Sequence, residues 1–242
     1  MDTETREAQA LGPRLAWTAA RPPSRETLHG RYGRVEGLDS AHARDLFEAS
    51  HGIGADPAIW NYLPYGPFRD EASFAAWLAE RAASRDPLFF AILDAPGRAL
   101  GMASYLRMVP ADGVIEIGHI WFAPVLQRTR LATEAIYLMA RHAFEGLGNR
   151  RFEWKCNARN APSRRAALRF GFTFEGLFRQ HMIVKGHNRD TAWYAMIDRD
   201  WPAIRAAFEA WLDPGNFDAE GRQKHPLAAR DAAGPAQVAE LT

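Results

Sequence analysis

The chain has 242 residues, 47% of them hydrophobic, and its 30 Lys and Arg against 29 Asp and Glu leave a formal net charge of +1. Balanced charge excludes the broad basic surface of a nucleic-acid-binding protein, the single Cys156 excludes an internal disulfide or a cysteine-based zinc cluster, and no run of about eighteen apolar residues could span a bilayer. We therefore expect a cytoplasmic globular protein with no metal, no membrane association and no nucleic-acid partner.

The two ends of the chain lack the periodic apolar pattern of a packed domain. Residues 1–25 contain three prolines among scattered Ala and Arg, which predicts an irregular arm. Residues 213–242 are charged, alanine-rich and interrupted by proline, which predicts an extended tail with Phe217 as a candidate anchor. We expect a single domain over residues 26–212 between them.

The domain opens with a predicted strand and two predicted helices. Residues 27–38 are typical of a strand, and Asp39 or Ser40 can cap a helix that runs to about residue 50. Asp70 caps a second helix that ends near residue 83 and has apolar residues at helical spacing.

The connection between these helices, residues 51–69, is rich in glycine, proline and aromatic residues. A long loop with so many rings either packs over the core or lines a cleft. Packing is as good an explanation as function, because aromatic rings are the largest groups a core can bury. The residues alone leave both interpretations open.

Strands and helices alternate through the rest of the domain. Three strands are predicted at 88–93, 99–108 and 114–122, and the turns between them suit hairpins, so they form an antiparallel meander. The remaining predicted elements are a helix at 130–145, a strand at 151–157, a helix at 162–170, strands at 172–184 and 191–197, and a helix at 202–212.

The junction between the strand at 114–122 and the helix at 130–145 suits an anion. The main-chain N–H groups of a first helical turn lack intrahelical partners, point the same way and carry the positive end of the helix dipole. Side-chain donors surround this end: Gln127, Arg128, Thr129, Arg130 and Thr133. A diphosphate is the natural ligand, although neither of the usual glycine-rich phosphate loops occurs in the chain.

A second motif is Asn160-Ala-Pro-Ser163, followed by Gly171-Phe172 eleven and twelve residues after the asparagine. Asn160 suits a helix N-cap, proline suits a first turn, and Gly171 suits a helix end. Each residue therefore has an ordinary structural explanation when it is considered alone.

Together the two motifs resemble the GCN5-related N-acetyltransferases (GNAT). Gln127-Arg-Thr-Arg-Leu-Ala132 is similar to the Gln-x-x-Gly-x-Gly/Ala diphosphate loop of that family, and the Asn160 motif is similar to the segment that holds the pantetheine arm. Further segments resemble the RimJ/RimL branch, which acetylates ribosomal proteins: Thr133-Glu134-Ala135, Gly171-Phe-Thr-Phe-Glu-Gly176, Arg179-Gln-His-Met182 and Asn188-Arg-Asp-Thr191.

The chain departs from the family pattern at two positions. Arg130 stands where the family usually has a glycine that lets a phosphate approach the backbone closely, so its side chain either points away from the phosphates or lies on them. Ala167 stands where many members have a tyrosine that protonates the departing thiolate. A non-catalytic acyl-CoA-binding sensor protein is therefore the alternative function.

The resemblance implies a fold, an activity and a co-substrate. The fold is an α+β (α/β) one, with a mixed central sheet of about seven strands flanked by helices in the order β-α-α-β-β-β-α-β-α-β-β-α. The activity is direct transfer of an acetyl group, in a ternary complex, from acetyl-CoA to a primary amine on a small molecule or a protein N-terminus. The enzyme would act as a monomer or homodimer and without a metal.

The resemblance also implies the residues that bind the two substrates. The thioester carbonyl would be held by the main-chain N–H of Trp121 or Phe122. The other residues implied for the cofactor are Gln127, Arg128, Thr129, Arg130, Leu131, Ala132, Thr133, Asn160 and Ser163. The loop at 51–69 would form a wall of the acceptor site, which makes Trp60, Tyr62 and Tyr65 candidates for acceptor contact.

Glu116 is the first candidate for the catalytic base, because the related branch carries a glutamate at this position. A carboxylate among apolar neighbours is costly to bury, and its alternative role is a salt bridge to an arginine. His119 is the second candidate, since its ordinary pKa suits the task. Strict alternation would place it on the opposite sheet face, so both can serve only if the strand is bulged. Ser163 is the candidate that protonates the thiolate.

Overall fold

One eight-stranded sheet organises the chain, and the computed structural model describes Leu11 and residues 14–232. The strands are β1 (Leu28–His29), β2 (Gly33–Gly37), β3 (Leu88–Asp94), β4 (Ala99–Val109), β5 (Val114–Phe122), β6 (Arg151–Asn157), β7 (Thr173–Val184) and β8 (His187–Ile197). The helices are α1 (Ala43–His51), α2 (Glu71–Ala83), α3 (Arg130–Arg141), α4 (Ala161–Arg169), α5 (Trp201–Leu212) and the short α6 (Ala229–Ala232).

The sheet order is β1-β2-β3-β4-β5-β6-β8-β7, and every neighbouring pair is antiparallel except β5 and β6. The expected α+β fold with its mixed sheet and flanking helices is thereby confirmed. The predicted helix at 130–145 is divided into α3 and a π-helical turn, His142–Gly146. Strand β8 begins four residues earlier than predicted, because it pairs with β7 up to the tight turn at Lys185 and Gly186.

The expected count of about seven strands is one too low, because residues 27–38 form a hairpin instead of a single strand. The turn between β1 and β2 is held from a distant helix: the Glu134 carboxylate of α3 accepts hydrogen bonds from the main-chain N–H groups of Arg31 (2.6 Å) and Tyr32 (2.8 Å). Gly30 makes room for this contact, since a Cβ there would lie 2.3 Å from the Glu134 carboxyl carbon.

Helices cover both faces of the sheet and bury two apolar clusters. On one face Ile136 and Met139 of α3 and Phe208 of α5 belong to the larger cluster. On the other face Leu46 of α1 and Leu78 of α2 belong to the smaller one. Both helical faces follow from the apolar periodicity of their sequences.

Two departures from regular pairing shape the middle of the sheet. Strands β5 and β6 pair from Val114 and Arg151 only as far as Ile117 and Trp154, although β5 continues for five more residues and β6 for three. The two parallel strands therefore separate and leave a cleft between them. In addition, β5 is bulged against β4: the pairing passes from Trp121 to Gly118 while β4 advances two residues, and His119 has a φ of +51°.

The described parts of the predicted arm and tail pack on the body of the molecule. Trp17 donates its indole N–H to the Ala111 carbonyl (2.7 Å). Phe217, Leu227 and Ala229 are buried in the larger apolar cluster. The predicted arm residues 1–10, 12 and 13 and the predicted tail residues 233–242 lie outside the described residues. No helix in residues 14–232 combines the length and apolarity needed to cross a membrane.

Candidate functional site

The cleft between β5 and β6 opens into a cavity of about 220 Å³. Its wall is formed by the bulged part of β5, the end of β6, the start of α4 and the hairpin of β7 and β8. It brings together five residues singled out in the sequence: Tyr62, Glu116, His119, Asn160 and Ser163. Other residues of the wall were not anticipated, and the charged or titratable ones among them are Arg107, Lys155, Cys156, His181 and Arg189.

The bulge places Glu116 and His119 on the same face of the sheet. His119 lies 5.1 Å from the Phe89 ring, a member of the smaller apolar cluster, whereas Ile115 and Ile117 on either side of Glu116 belong to the larger cluster on the opposite face. The condition under which both candidates could face one site is therefore met.

Glu116 is buried and its carboxylate is paired. Its Oε2 atom accepts a hydrogen bond from Lys155 Nζ at 2.8 Å and lies 3.8 Å from Arg107 Nε. The predicted alternative of a salt bridge is thus present, although the nearer partner is a lysine. Burial raises the pKa of the Glu116 carboxyl above its ordinary value, and Lys155 opposes that rise.

Lys155 serves a second carboxylate and an aromatic ring as well. Its Nζ lies 2.6 Å from Glu153 Oε2 and 3.8 Å from the centroid of the Trp193 ring. Burial raises the pKa of Glu153, but hydrogen bonds from Lys155 and Arg151 outweigh that effect and the pKa falls below its ordinary value. The ammonium group therefore belongs to a polar cluster in the cavity wall.

His119 is held against Tyr65. Its Nδ1 lies 3.1 Å from the Tyr65 hydroxyl oxygen, and the two rings stack at 5.6 Å between centroids. Burial, with the nearby cations Arg81 and Arg189, lowers the pKa of His119 to about 4, so the imidazole is neutral near pH 7. When Nδ1–H is donated to Tyr65, Nε2 is left as an acceptor with no partner among the described residues.

Ser163 and Asn160 are fixed at the start of α4. The Ser163 main-chain N–H donates to Asn160 Oδ1 (3.1 Å), which is the predicted N-cap, and Trp154 donates its indole N–H to Ser163 Oγ (3.0 Å). The Asn160 side-chain N–H groups are left for a ligand, whereas the Ser163 hydroxyl lies within hydrogen-bonding reach of the Cys156 sulfur. Burial raises the pKa of the neighbouring Cys156 thiol to about 11, which excludes a reactive thiolate near pH 7.

The junction before α3 is a cradle of main-chain amides. Thr129 Oγ1 caps the helix by accepting from Ala132 N–H (3.1 Å). The N–H groups of Arg128, Arg130 and Leu131 have no acceptor in the described part of the chain. Among the predicted side-chain donors three already donate within the protein: Gln127 Nε2 to the Phe122 carbonyl (3.0 Å), Thr129 Oγ1 to the Leu126 carbonyl (2.7 Å) and Thr133 Oγ1 to the Thr129 carbonyl (3.4 Å).

The Arg130 side chain takes the first of the two orientations that the sequence left open. Its guanidinium carbon lies 5.0 Å from the centroid of the Tyr32 ring and 4.7 Å from that of Phe217. The charge is therefore stacked between two aromatic rings, one from the β1–β2 hairpin and one from the chain after α5.

Of the two amides proposed for the thioester carbonyl, only that of Phe122 faces the cleft. Ala123 N–H donates to the carbonyl of Leu100 in β4 (3.0 Å). Because residues two apart on a strand direct their N–H groups to the same side, Trp121 N–H also faces β4 and Phe122 N–H faces away from it. The Trp121 side chain is buried in the smaller apolar cluster.

The three aromatic candidates for acceptor contact have different surroundings. Trp60 is fully buried, 5.4 Å from the Trp121 ring, and is a core residue instead of a cavity residue. Tyr65 supports His119 as described. Tyr62 lines the cavity and donates its hydroxyl to the Arg159 carbonyl (3.1 Å). The loop therefore packs over the core and lines the cleft at once.

Two further features define what this region offers. A larger cavity of about 280 Å³ lies beside Glu134, Tyr137 and Glu209 and contains none of the candidate catalytic or acceptor residues. Within residues 14–232 no group of three or more His, Cys, Asp or Glu side chains is placed to hold a metal ion. The side chains near β5 can transfer protons and form hydrogen bonds.

Comparison with known proteins identifies relatives of this arrangement. Residues 34–173 match the family model of the acetyltransferase (GNAT) domain. A solved structure of a GCN5-related N-acetyltransferase from Brucella melitensis is 47% identical, has a TM-score of 0.86, and the match covers 89% of this chain and 99% of that one. A RimL ribosomal L7/L12 alpha-N-protein acetyltransferase, 20% identical with a TM-score of 0.60, shares the fold over 76% of this chain and 98% of its own.

A curated relative matches over a shorter region. The ribosomal-protein-serine acetyltransferase of Escherichia coli (strain K12) is 31% identical over 98 residues, which are 40% of this chain and 54% of the relative. The chain thus spans about half the length of this curated relative. Apart from the wall of β7 and β8, the candidate residues described above lie within the region that matches the family model.

Proposed function

The chain belongs to the GNAT acetyltransferase family, in its RimJ/RimL branch, and on that premise we propose that it transfers the acetyl group of acetyl-CoA to a primary amine. The transfer is direct, within a ternary complex of the enzyme with both substrates. One observation supports the proposal: Glu116, His119 and the Phe122 N–H, which points away from β4, follow one another along β5, and the amide cradle before α3 comes next along the chain.

Acetyl-CoA binds along this cleft with its diphosphate at the N-terminus of α3. The N–H groups of Arg128, Arg130 and Leu131 are available there, and the positive end of the helix dipole adds to the attraction. The pantetheine arm runs between the separated strands, where Asn160 has amide donors to offer. The Phe122 N–H is not used in the pairing with β4. It donates to the thioester oxygen and stabilises the negative charge that develops there.

Proton transfer completes the reaction, since an amine attacks only in its neutral form. We assign the base to Glu116: Lys155 keeps its carboxylate ionised, while burial makes that carboxylate more basic than an exposed one. The unpaired Nε2 of His119 is the alternative acceptor. Ser163 donates to the departing sulfur, although a thiol with an ordinary pKa of ~8.5 can also leave as a thiolate.

The acceptor is either the α-amine of a protein N-terminus or a small amine. The E. coli relative is described as acting on ribosomal-protein serine, which supports the first class. The small cavity accommodates the amine end of either.

The proposal is tested by calorimetry with CoA and by thiol release from acetyl-CoA in the presence of a panel of amines. We expect CoA binding and amine-dependent thiol release. Glu116→Gln should lower kcat/KM about 10²- to 10⁴-fold. If the rate is undiminished, Glu116 is not the base, and His119→Asn then tests His119 in that role. CoA binding without release for any amine would identify the chain as an acyl-CoA sensor, and absence of CoA binding would overturn both functions.

A further inference from the structure

The cavity wall has more positive than negative side chains. Three permanent cations line it, Arg107, Lys155 and Arg189, whereas Glu116 is its single carboxylate. The excess of positive charge also affects His181, whose pKa is lowered by burial and by Arg189, Arg107 and Lys155. A polycationic acceptor such as a polyamine is therefore poorly matched to this wall.

The carboxylate of Glu116 does not neutralise the whole wall. It is shared between Lys155 at 2.8 Å and Arg107 at 3.8 Å. Arg107 is largely exposed, so solvent screens its charge. Arg189 forms no ion pair with a carboxylate in the described part of the chain, although the charge of Glu116 partly opposes the lowering of its pKa by burial.

Arg189 is half-buried and held in one orientation. Its Nε donates to Thr191 Oγ1 at 3.2 Å. The Thr191 side chain is fully buried, and its Oγ1, which accepts from the guanidinium, also lies 2.9 Å from His181 Nδ1. The two terminal nitrogens of Arg189 have no acceptor in the described part of the chain.

The Arg189 guanidinium is partly desolvated, held at Nε and open at both terminal nitrogens. Such a group matches a carboxylate, which accepts two parallel N–H bonds. Desolvation lowers the pKa of Arg189, and an anionic ligand would offset that cost. Because Arg189 and Glu116 line the same small cavity, an amine presented to Glu116 would place a neighbouring carboxylate within reach of Arg189.

We propose that the acceptor amine carries a carboxylate and that Arg189 binds it, which makes Arg189 the residue that selects the acceptor. This inference rests on the proposed acetyl transfer and narrows its substrate class to amines with a nearby anion. The carboxylate belongs either to a free amino acid or to an acidic side chain close to a peptide N-terminus. The two sources present the same group to the same guanidinium.

The test compares acceptors that differ in one carboxylate. Thiol release from acetyl-CoA is measured with alanine against alaninamide, and with the amidated peptides Ser-Asp-Ala and Ser-Glu-Ala against Ser-Asn-Ala and Ser-Gln-Ala. The acid of a pair should exceed its amide in kcat/KM by about tenfold or more. A preference confined to alanine identifies a free amino acid as acceptor, and one confined to the peptides identifies an acidic N-terminus.

Arg189→Gln should reduce that preference to less than about threefold without changing CoA affinity, and Arg189→Lys should restore part of it. Arg179→Gln on the same hairpin is the matched control, because Arg179 is exposed and lies outside the cavity wall. Equal rates of wild type with acids and amides, or an equal loss for every acceptor in Arg189→Gln, would overturn the proposal.

A binding measurement separates this inference from the proposed function. Calorimetry with CoA present compares N-acetylalanine with N-acetylalaninamide and the N-acetylated acidic peptides with their amide counterparts. If no amine is turned over, an Arg189-dependent preference for the acids upholds the carboxylate site and rejects the catalytic function. If neutral amines are acetylated and no acid is preferred in either assay, the catalytic function stands and the carboxylate site is rejected.

Discussion

Lys155 Nζ lies 2.8 Å from Glu116 Oε2, and the two side chains are only 5% and 7% exposed. Charges this deeply buried are stable only while they are paired, because the cost of removing them from water is large. The same ammonium group also pairs with Glu153 at 2.6 Å. Lys155 is therefore the centre of the cluster, and the two glutamates depend on it unequally: Glu153 has Arg151 as a second partner at 2.7 Å.

This asymmetry predicts that removing the lysine destabilises the protein more than removing Glu116. Lys155→Met leaves the Glu116 carboxylate buried with only the more distant Arg107, and should lower the free energy of unfolding by about 3 to 5 kcal/mol. Glu116→Gln leaves Lys155 paired with Glu153 and should cost about 1 to 3 kcal/mol. Urea unfolding at pH 7 measures both, and equal losses would show that the cluster is not centred on Lys155.

His119 predicts a specific acid sensitivity of the fold. Its folded pKa of about 4 lies below the value of ~6.5 for an unfolded chain, so between these values the unfolded state binds a proton that the folded state excludes. The stability that comes from the neutral imidazole is therefore complete above pH 6.5 and is lost as the pH falls towards 4.

The loss from this one group is about 2 to 3 kcal/mol between pH 7.5 and 4.5. His119→Asn removes the titrating ring and retains a polar group near Tyr65. Between pH 7.5 and 4.5 the free energy of unfolding of the variant should therefore fall by about 2 to 3 kcal/mol less than that of the wild type. Urea unfolding at the two pH values provides the comparison. Parallel pH dependence in wild type and variant would assign the acid sensitivity to other groups.

The elements that the sequence predicted correctly are those specified by neighbouring residues. The apolar periodicity of α3, the Asp70 and Asn160 caps and the turns of the meander are all local signals. The β1–β2 hairpin was missed because the group that holds its turn, Glu134, lies 103 residues beyond Arg31. The glycines at 30 and 33 were the available signal for a turn within that strand.

The candidate site shows the same division. The roles of Glu116 in β5 and of Asn160 and Ser163 in α4 came from the family resemblance. The bulge entered only as a condition for Glu116 and His119 to act together. The partner of Glu116 was expected to be an arginine, because nothing local relates position 116 to Lys155, 39 residues away on a neighbouring parallel strand. Arg189 appeared only within a segment that resembles the RimJ/RimL branch and was given no role, since its place in the wall depends on how the last hairpin folds over the cleft.

Arg130 and Arg128 should respond in opposite ways when they are replaced. Arg130→Ala removes a guanidinium stacked between two rings, so it should lower the free energy of unfolding by about 1 to 2 kcal/mol and change CoA affinity by less than about threefold. Arg128 is exposed beside the amide cradle, so Arg128→Ala should leave stability within about 0.5 kcal/mol and weaken CoA binding. Thermal unfolding and calorimetry with CoA measure the two effects, and a large loss of affinity in Arg130→Ala would place its side chain on the diphosphate.

The segment after α5 should behave as part of the core, although its composition predicted an extended tail. Leu227 is 8% exposed and belongs to the larger apolar cluster, so Leu227→Ala should cost about 2 to 4 kcal/mol. Ile183 is a matched control of similar size at 82% exposure, and Ile183→Ala should cost less than about 0.5 kcal/mol. Urea unfolding at pH 7 gives both values. If Leu227→Ala leaves the free energy of unfolding unchanged, the segment adds little to the fold and the domain ends at α5. The expected loss would instead extend the packed domain to α6 and include the contact of Phe217 with Arg130.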